Sequence, residues 1–110
     1  QGLLQLGLAN RAMGELLTLL NSPAEIGSGF SSDPDVYFRA AMQYFTEMKT
    51  DLEIARTLWV HGESLAKRGH RMTGARKLQQ AARIFTELNM LTEAAKVGEL
   101  QGKILTAAED

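Results

Sequence analysis

Apolar residues recur every three or four positions along most of the chain, the spacing of one face of an α-helix. Over residues 35–48 the series is Phe38, Ala41, Phe45 and Met48. Over 51–68 it is Ala55, Leu58, Trp59, Gly62, Leu65 and Ala66, and over 73–88 it is Leu78, Ala81, Ala82, Phe85 and Leu88. Two more helices are predicted, one from Leu3 to about Leu20 that holds Gly7 and Gly14, and one from about Leu91 to Ala108. No segment alternates apolar and polar residues long enough for a strand. The expected fold class is all-α, with five helices in antiparallel pairs.

The one irregular stretch is 21–33, rich in Gly, Ser and Pro, and both prolines of the chain, Pro23 and Pro34, lie at its flanks. Asp33 before Pro34 suits an N-cap followed by proline at the first helical position. Thr50 and Glu53 stand three apart, as in a capping box, and Gly69 supplies a C-terminal stop.

The chain also repeats itself. At an offset of 40, Phe45 meets Phe85, Thr46-Glu47 meets Thr86-Glu87, Ala41 meets Ala81, Ala55 meets Ala95, Gly62 meets Gly102 and Leu65 meets Leu105. Small residues fall on small ones and large apolar residues on large ones. The unit is a helix–turn–helix, and small residues recur where its two helices would cross. A mid-helix glycine costs up to about 1 kcal/mol relative to alanine, so Gly62 implies a neighbour that approaches closely. The domain reading is a single domain over 1–110: a divergent unit at 1–49 with an inserted loop at 21–33, a central unit at 50–89, and a trailing first-type helix at 90–110. Gln1 and the abrupt start of helical pattern suggest a fragment of a longer chain.

At 110 residues the chain is long enough for one modest core. Twelve basic against 13 acidic residues give a net charge of −1, which removes the simplest case for nucleic acid or an anionic membrane as partner. Cysteine is absent, so there is no disulfide scaffold, thiolate metal site or cysteine nucleophile. That composition fits a reducing compartment, and the expected location is cytoplasmic. No apolar run reaches the roughly 18 residues of a membrane span.

Residues 55–88 resemble a tetratricopeptide repeat. Leu58, Gly62 and Leu65 match the family's bulky/Gly/bulky pattern on the first helix, and Gly74, Leu78 and Ala81 its small/bulky/small pattern on the second. His61 departs from a usual apolar residue, Thr86 replaces the closing proline, and the period exceeds the usual 34. Longer units of this kind are similar to those of bacterial multidomain signalling ATPases and transcription regulators. A fainter likeness, through Ile84-Phe85-Thr86-Glu87 and Ala94-Ala95-Lys96, is to the vesicle-fusion adaptor family. Gly7 and Gly14 are spaced like Gly62 and Gly69, so the N-terminal segment reads as a damaged copy at an offset of 55, with an insertion of about 15 residues. The resemblance implies a short right-handed solenoid of about two and a half repeats.

Chemistry is sparse. His61 and His70 are the only histidines, and His61 and Glu63 point about 200° apart on a helix, so they cannot share a ligand. His61 is read as a half-buried helix residue with one hydrogen bond, His70 as a solvent-exposed turn residue. Asp33, Asp35, Asp51 and Glu53 stand near helix starts, where capping and the helix dipole account for them better than an acid pair does. Gly27-Ser28-Gly29 lacks the Gly-Lys-Ser/Thr of a phosphate loop and reads as flexible insertion. Lys67, Arg68, Arg71, Arg76 and Lys77 form a basic cluster without the interleaved aromatics of a single-strand binder. No catalytic residue, metal or cofactor is expected.

The resemblance implies a groove lined by the first helices. Its partner-binding residues would be Arg56, Trp59, Glu63 and Lys67 on the central helix and Lys96, Glu99 and Lys103 on the last, with Leu4, Leu8 and Arg11 on the first. Trp59 has two readings, a hot-spot anchor or packing under the next helix. Glu63 replaces the Asn of relatives that clamp a peptide carboxylate, so that mode is not expected. The expected function is a non-catalytic protein–protein interaction module that binds a peptide or helix, with no nucleic acid, membrane or small-molecule substrate. The alternative is a structural spacer or self-association segment of a larger signalling or regulatory protein. Leu16, Leu17, Leu19 and Leu20 would be exposed unless covered by a homodimer through the end helices, by a longer array, or by the loop residues Ile26 and Phe30.

Overall fold

The computed structural model describes residues 2–20 and 31–107. Five helices follow in order, α1 (Leu3–Leu20), α2 (Pro34–Met48), α3 (Asp51–Lys67), α4 (Arg71–Glu87) and α5 (Leu91–Ala107), and no strand occurs among the described residues. The all-α expectation holds. Most of the expected loop, including Gly27-Ser28-Gly29, Ile26 and Phe30, lies outside the described residues.

The turn chemistry explains where the helices stop. The Asp33 carboxylate accepts from the Asp35 backbone N–H at 2.9 Å, with Pro34 opening the helix. Three successive helices, α2, α3 and α4, end alike. Residues Lys49, Gly69 and Asn89 take positive φ (57°, 94° and 60°). The amide of the next residue then reaches back five positions: Thr50 to Phe45 O, His70 to Leu65 O and Met90 to Phe85 O. This is the Schellman closure, which satisfies carbonyls left over at a helix end. Thr50 does precede α3, but its side chain makes no capping bond, while the Glu53 carboxylate pairs with Arg11 and Arg56 and the Thr50 N–H donates to Phe45 O. The capping box is therefore not formed.

Packing follows the order of the chain. α1 pairs with α2 and α3 with α4; α5 lies against α4, and α3 also touches α1 and α2. The described residues form a plate of 39 × 36 × 16 Å. Phe38, Ala41 and Phe45 of α2 are buried, as are Gly7, Gly14 and Leu17 of α1. Ala55, Leu58, Leu78, Ala81, Phe85 and Val97 form the core shared by α3, α4 and α5. Burial of each phenylalanine or leucine contributes roughly 1.5–3 kcal/mol.

The offset of 40 is visible in three dimensions. Each position from Ala41 to Thr50 has the same degree of burial as its counterpart from Ala81 to Met90. Thr46 and Thr86 both turn their hydroxyls back to the carbonyl four residues earlier, at 2.7 and 2.8 Å.

The N-terminal register needs correction. Gly14, not Gly7, stands where Gly62 stands. A Cβ on Gly14 would meet the Phe38 ring at 2.8 Å, and one on Gly62 would meet Leu78, the counterpart of Phe38, at 3.0 Å. Likewise the Arg11 guanidinium lies over Phe45 (5.3 Å) where Trp59 meets Phe85 edge-on (5.8 Å). The offset on the first helix is therefore 48, so the insertion is about eight residues rather than 15. The glycine pair misled because Gly69 is a turn residue with φ of 94°, whereas Gly14 lies inside a helix.

Candidate functional site

The register of 48 places Glu15 opposite Glu63 in the repeat, and Leu19 opposite Lys67. These four residues line one cleft of about 120 Å³ between α1 and α3, together with Thr18, Val60 and Ser64, over a floor of Phe38. Each of Glu15, Glu63 and Lys67 lacks an ion-pair partner among the described residues, and Leu19 is 74% exposed. Sequence reasoning named Glu63 and Lys67 but missed Glu15 and Leu19. The aligned leucines and glutamates carried the signal, but the wrong glycine match hid it.

The other expected groove residues are placed as follows. Arg56 is exposed and pairs with Glu53 at 2.9 Å, three residues earlier on its own helix. It shares a stripe of α3 with Glu63 and Lys67. Trp59 stands at the edge of that stripe, half-buried, its ring packed on Phe85 and its indole N–H buried with no hydrogen-bond partner among the described residues. Lys96, Glu99 and Lys103 are exposed on α5, and Glu99 and Lys103 face each other at 3.5 Å. Leu4 and Leu8 are exposed on α1. Arg11 is not: its side chain, only 15% exposed, donates to Glu53 at 2.8 Å and ties α1 to α3. Of the four leucines expected to be exposed unless covered, Leu17 is buried, while Leu16, Leu19 and Leu20 are open.

Behind the cleft lies a polar network that the sequence did not announce. His61 is buried, stacked on Phe38 with centroids 4.7 Å apart, and its Nε2 lies 2.9 Å from Asp35 Oδ1. Arg68 donates to both oxygens of Asp35 and, through Nε, to Ser64 Oγ at 3.1 Å. Ser64 and Thr18 share a hydrogen bond at 2.6 Å, and Thr18 donates to Gly14 O. The chain of bonds joins α1, α2 and α3 where the two hairpins meet. Asp35 is thus an interhelical partner rather than a cap.

The charges are set by these contacts. Burial lowers the His61 pKa below its ordinary value more than Asp35 raises it, with Lys77 and Arg68 adding repulsion. For Asp35, burial alone would raise the pKa, but hydrogen bonds from Arg68 and His61 and their charge outweigh it and hold the carboxyl below its ordinary range. Glu53 follows the same rule, with burial opposed and overcome by Arg11 and then Arg56. These groups are occupied with one another. No cluster of three His, Cys, Asp or Glu suited to a metal occurs among the described residues. No helix among them is long and apolar enough to cross a membrane.

Comparison of the chain with protein-family models, with curated proteins and with solved structures finds no match.

Proposed function

We propose that this chain is a non-catalytic interaction module that takes a peptide or helix of another protein along its first-type helices, arranged as in a short right-handed tetratricopeptide-like solenoid. The observation that carries this reading is the cleft between α1 and α3. It has an apolar floor and wall in Phe38, Val60 and Leu19, and charged groups at its rim in Glu15, Glu63 and Lys67. An apolar side chain seated there would leave the water, while the rim groups set orientation through complementary charge. Arg56 extends the surface along α3, and Lys96, Glu99 and Lys103 continue it on α5. Trp59 contributes mainly as the wall that holds α3 against α4.

Selection from a displayed library of random helical peptides tests the reading. Peptides recovered on the full chain should bind saturably and lose at least tenfold in affinity on Leu19→Asp or Glu63→Arg, with the helical circular-dichroism signal unchanged. An absence of saturable binders, or binders indifferent to both changes, would reject it.

One observation favours the self-association reading. Leu4, Leu8, Leu16, Leu19 and Leu20 of α1 are each 38–74% exposed, and clustered exposed apolar side chains mark interaction surfaces. Sedimentation velocity decides between the two: concentration-dependent dimers that Leu16→Glu dissolves would assign that face to a second copy.

A further inference from the structure

The α1/α3 cleft sets two carboxylates against one cation. Glu15 of α1 and Glu63 of α3 line it from equivalent positions of the repeat, and Lys67 is the one basic residue of the described lining. No ion pair joins Lys67 to either glutamate, although Glu63 stands four positions before it on the same helix. The two hydroxyl residues of the lining, Thr18 and Ser64, have no proton to offer. Arg68 Nε–H donates to Ser64 Oγ at 3.1 Å, and Thr18 Oγ1 donates to Gly14 O at 2.8 Å. A hydroxyl has one proton and two lone pairs, so the 2.6 Å bond between the two hydroxyls runs from Ser64 to Thr18. Both hydrogens are thus in use, and each oxygen keeps a lone pair. Lys67 is left as the only donor side chain among the described lining, on a surface otherwise of acceptors and of the apolar Leu19, Val60 and Phe38.

We propose that this cleft takes the side chain of an arginine presented by a helix or peptide of a partner protein. The proposal rests on the reading of the cleft as the partner site and names what fills it. An arginine brings an apolar stem for Leu19 and Val60. Its head carries five N–H donors and no acceptor, so it complements the carboxylates and the hydroxyl lone pairs together. A carboxylate or phosphate would add acceptors to acceptors and face like charge from Glu15 and Glu63. At about 120 Å³ the cleft has room for the head, since one water needs roughly 10–15 Å³ by the same measure. The neighbouring segment of the chain itself cannot supply the cation, because residues 21–30 contain Glu25 and no Lys or Arg.

The probe is blocked arginine, N-acetyl-arginine N-methylamide, titrated into the isotopically labelled full chain and followed by amide chemical shifts. Shifts at Thr18, Leu19, Val60 and Ser64 should saturate. Blocked citrulline, which has nearly the same shape and no charge, should bind at least fivefold more weakly. Glu15→Gln combined with Glu63→Gln should weaken blocked arginine at least fivefold at an unchanged melting temperature, since neither carboxylate holds an ion pair among the described residues. Lys67→Gln removes the competing cation and should strengthen the complex at least twofold. Equal binding of arginine and citrulline, tighter binding of blocked glutamate, or a weaker complex in Lys67→Gln overturns the proposal and leaves the cleft standing as a partner site of other chemistry. Absence of saturable shifts overturns it too, and the peptide selection then decides separately whether the cleft takes a peptide at all. Dimers in sedimentation that blocked arginine dissolves would assign the arginine to a second copy and overturn the partner protein as its source.

Discussion

Gly62 of α3 and Gly74 of α4 meet backbone to backbone: a Cβ on Gly62 would lie 2.8 Å from the Gly74 carbonyl oxygen, and one on Gly74 2.6 Å from the Gly62 carbonyl oxygen. Neither neighbour is the tip of a flexible side chain, so room comes only from spreading the helices. Alanine at either site gains up to about 1 kcal/mol of helix propensity, while overpacking costs about 1–3 kcal/mol. Gly62→Ala is therefore expected to be net destabilising by up to about 2 kcal/mol in urea unfolding. Gly102→Ala, the same change at the same repeat position with no other helix's described atoms within 4 Å of the added Cβ, should be stabilising by about 0.5–1 kcal/mol. Equal signs for the two would contradict the packing described.

The contact of Gly14 with Phe38 gives a sharper test of register. A Cβ on Gly14 would sit 2.8–2.9 Å from three atoms of the buried Phe38 ring. Gly14→Ala should be net destabilising by up to about 2 kcal/mol, overpacking outweighing the gain in helix propensity. Phe38→Leu installs the residue that Leu78 supplies at the equivalent place. The double variant should then recover part of the loss, giving a coupling of at least about 0.5 kcal/mol in a double-mutant cycle. Additive effects would mean that the two residues do not share the space.

Helix number, the offset of 40 and the Asp33–Pro34 start were legible because they depend on local spacing and on residues with few conformational uses. Long-range polar partners were not. Nothing in the periodicity tells that Asp35 reaches across to His61 and Arg68, or that Glu53 leaves the Thr50 cap for Arg11, since both depend on how two hairpins meet. The cleft was half legible for the same reason. Glu63 and Lys67 came from the clear central unit, whereas Glu15 and Leu19 needed the N-terminal register, and glycine identity alone does not separate a turn glycine such as Gly69 from a crossing glycine such as Gly14.

Trp59 holds a buried N–H without a described partner beside a ring contact that is well made. Substitution Trp59→Phe removes the orphan donor and keeps an aromatic edge near Phe85. Its effect should be small, within about 1 kcal/mol, because the loss of ring area is offset by relief of an unsatisfied group. Trp59→Ala removes the whole contact and should cost about 3 kcal/mol, near the lower end for large-to-small core changes. The chain has a single tryptophan, so its fluorescence reports this site directly, and emission should shift to the red on unfolding. A Trp59→Ala variant of native stability would place the indole outside the core.

The network around His61 predicts how stability responds to acid. The folded pKa of His61 lies below the ordinary 6.5, so the folded chain binds its proton more weakly than the unfolded chain does. Stability should therefore be full above pH 6.5 and decline as pH falls below it, by at most about 1.4 kcal/mol per pH unit for one proton. The carboxyls add a second, later loss. Asp35 and Glu53 have folded values below the ordinary 3.8 and 4.5, so their contribution is present above those values and is lost as pH falls through the lowered folded ones. Urea midpoints measured from pH 8 to 3 should show both limbs. His61→Gln keeps a donor for Asp35 but has no proton to gain, so it should flatten the limb that begins below pH 6.5 while the acidic limb remains. An unchanged upper limb in that variant would show that His61 is not the group whose protonation loosens the junction of the two hairpins.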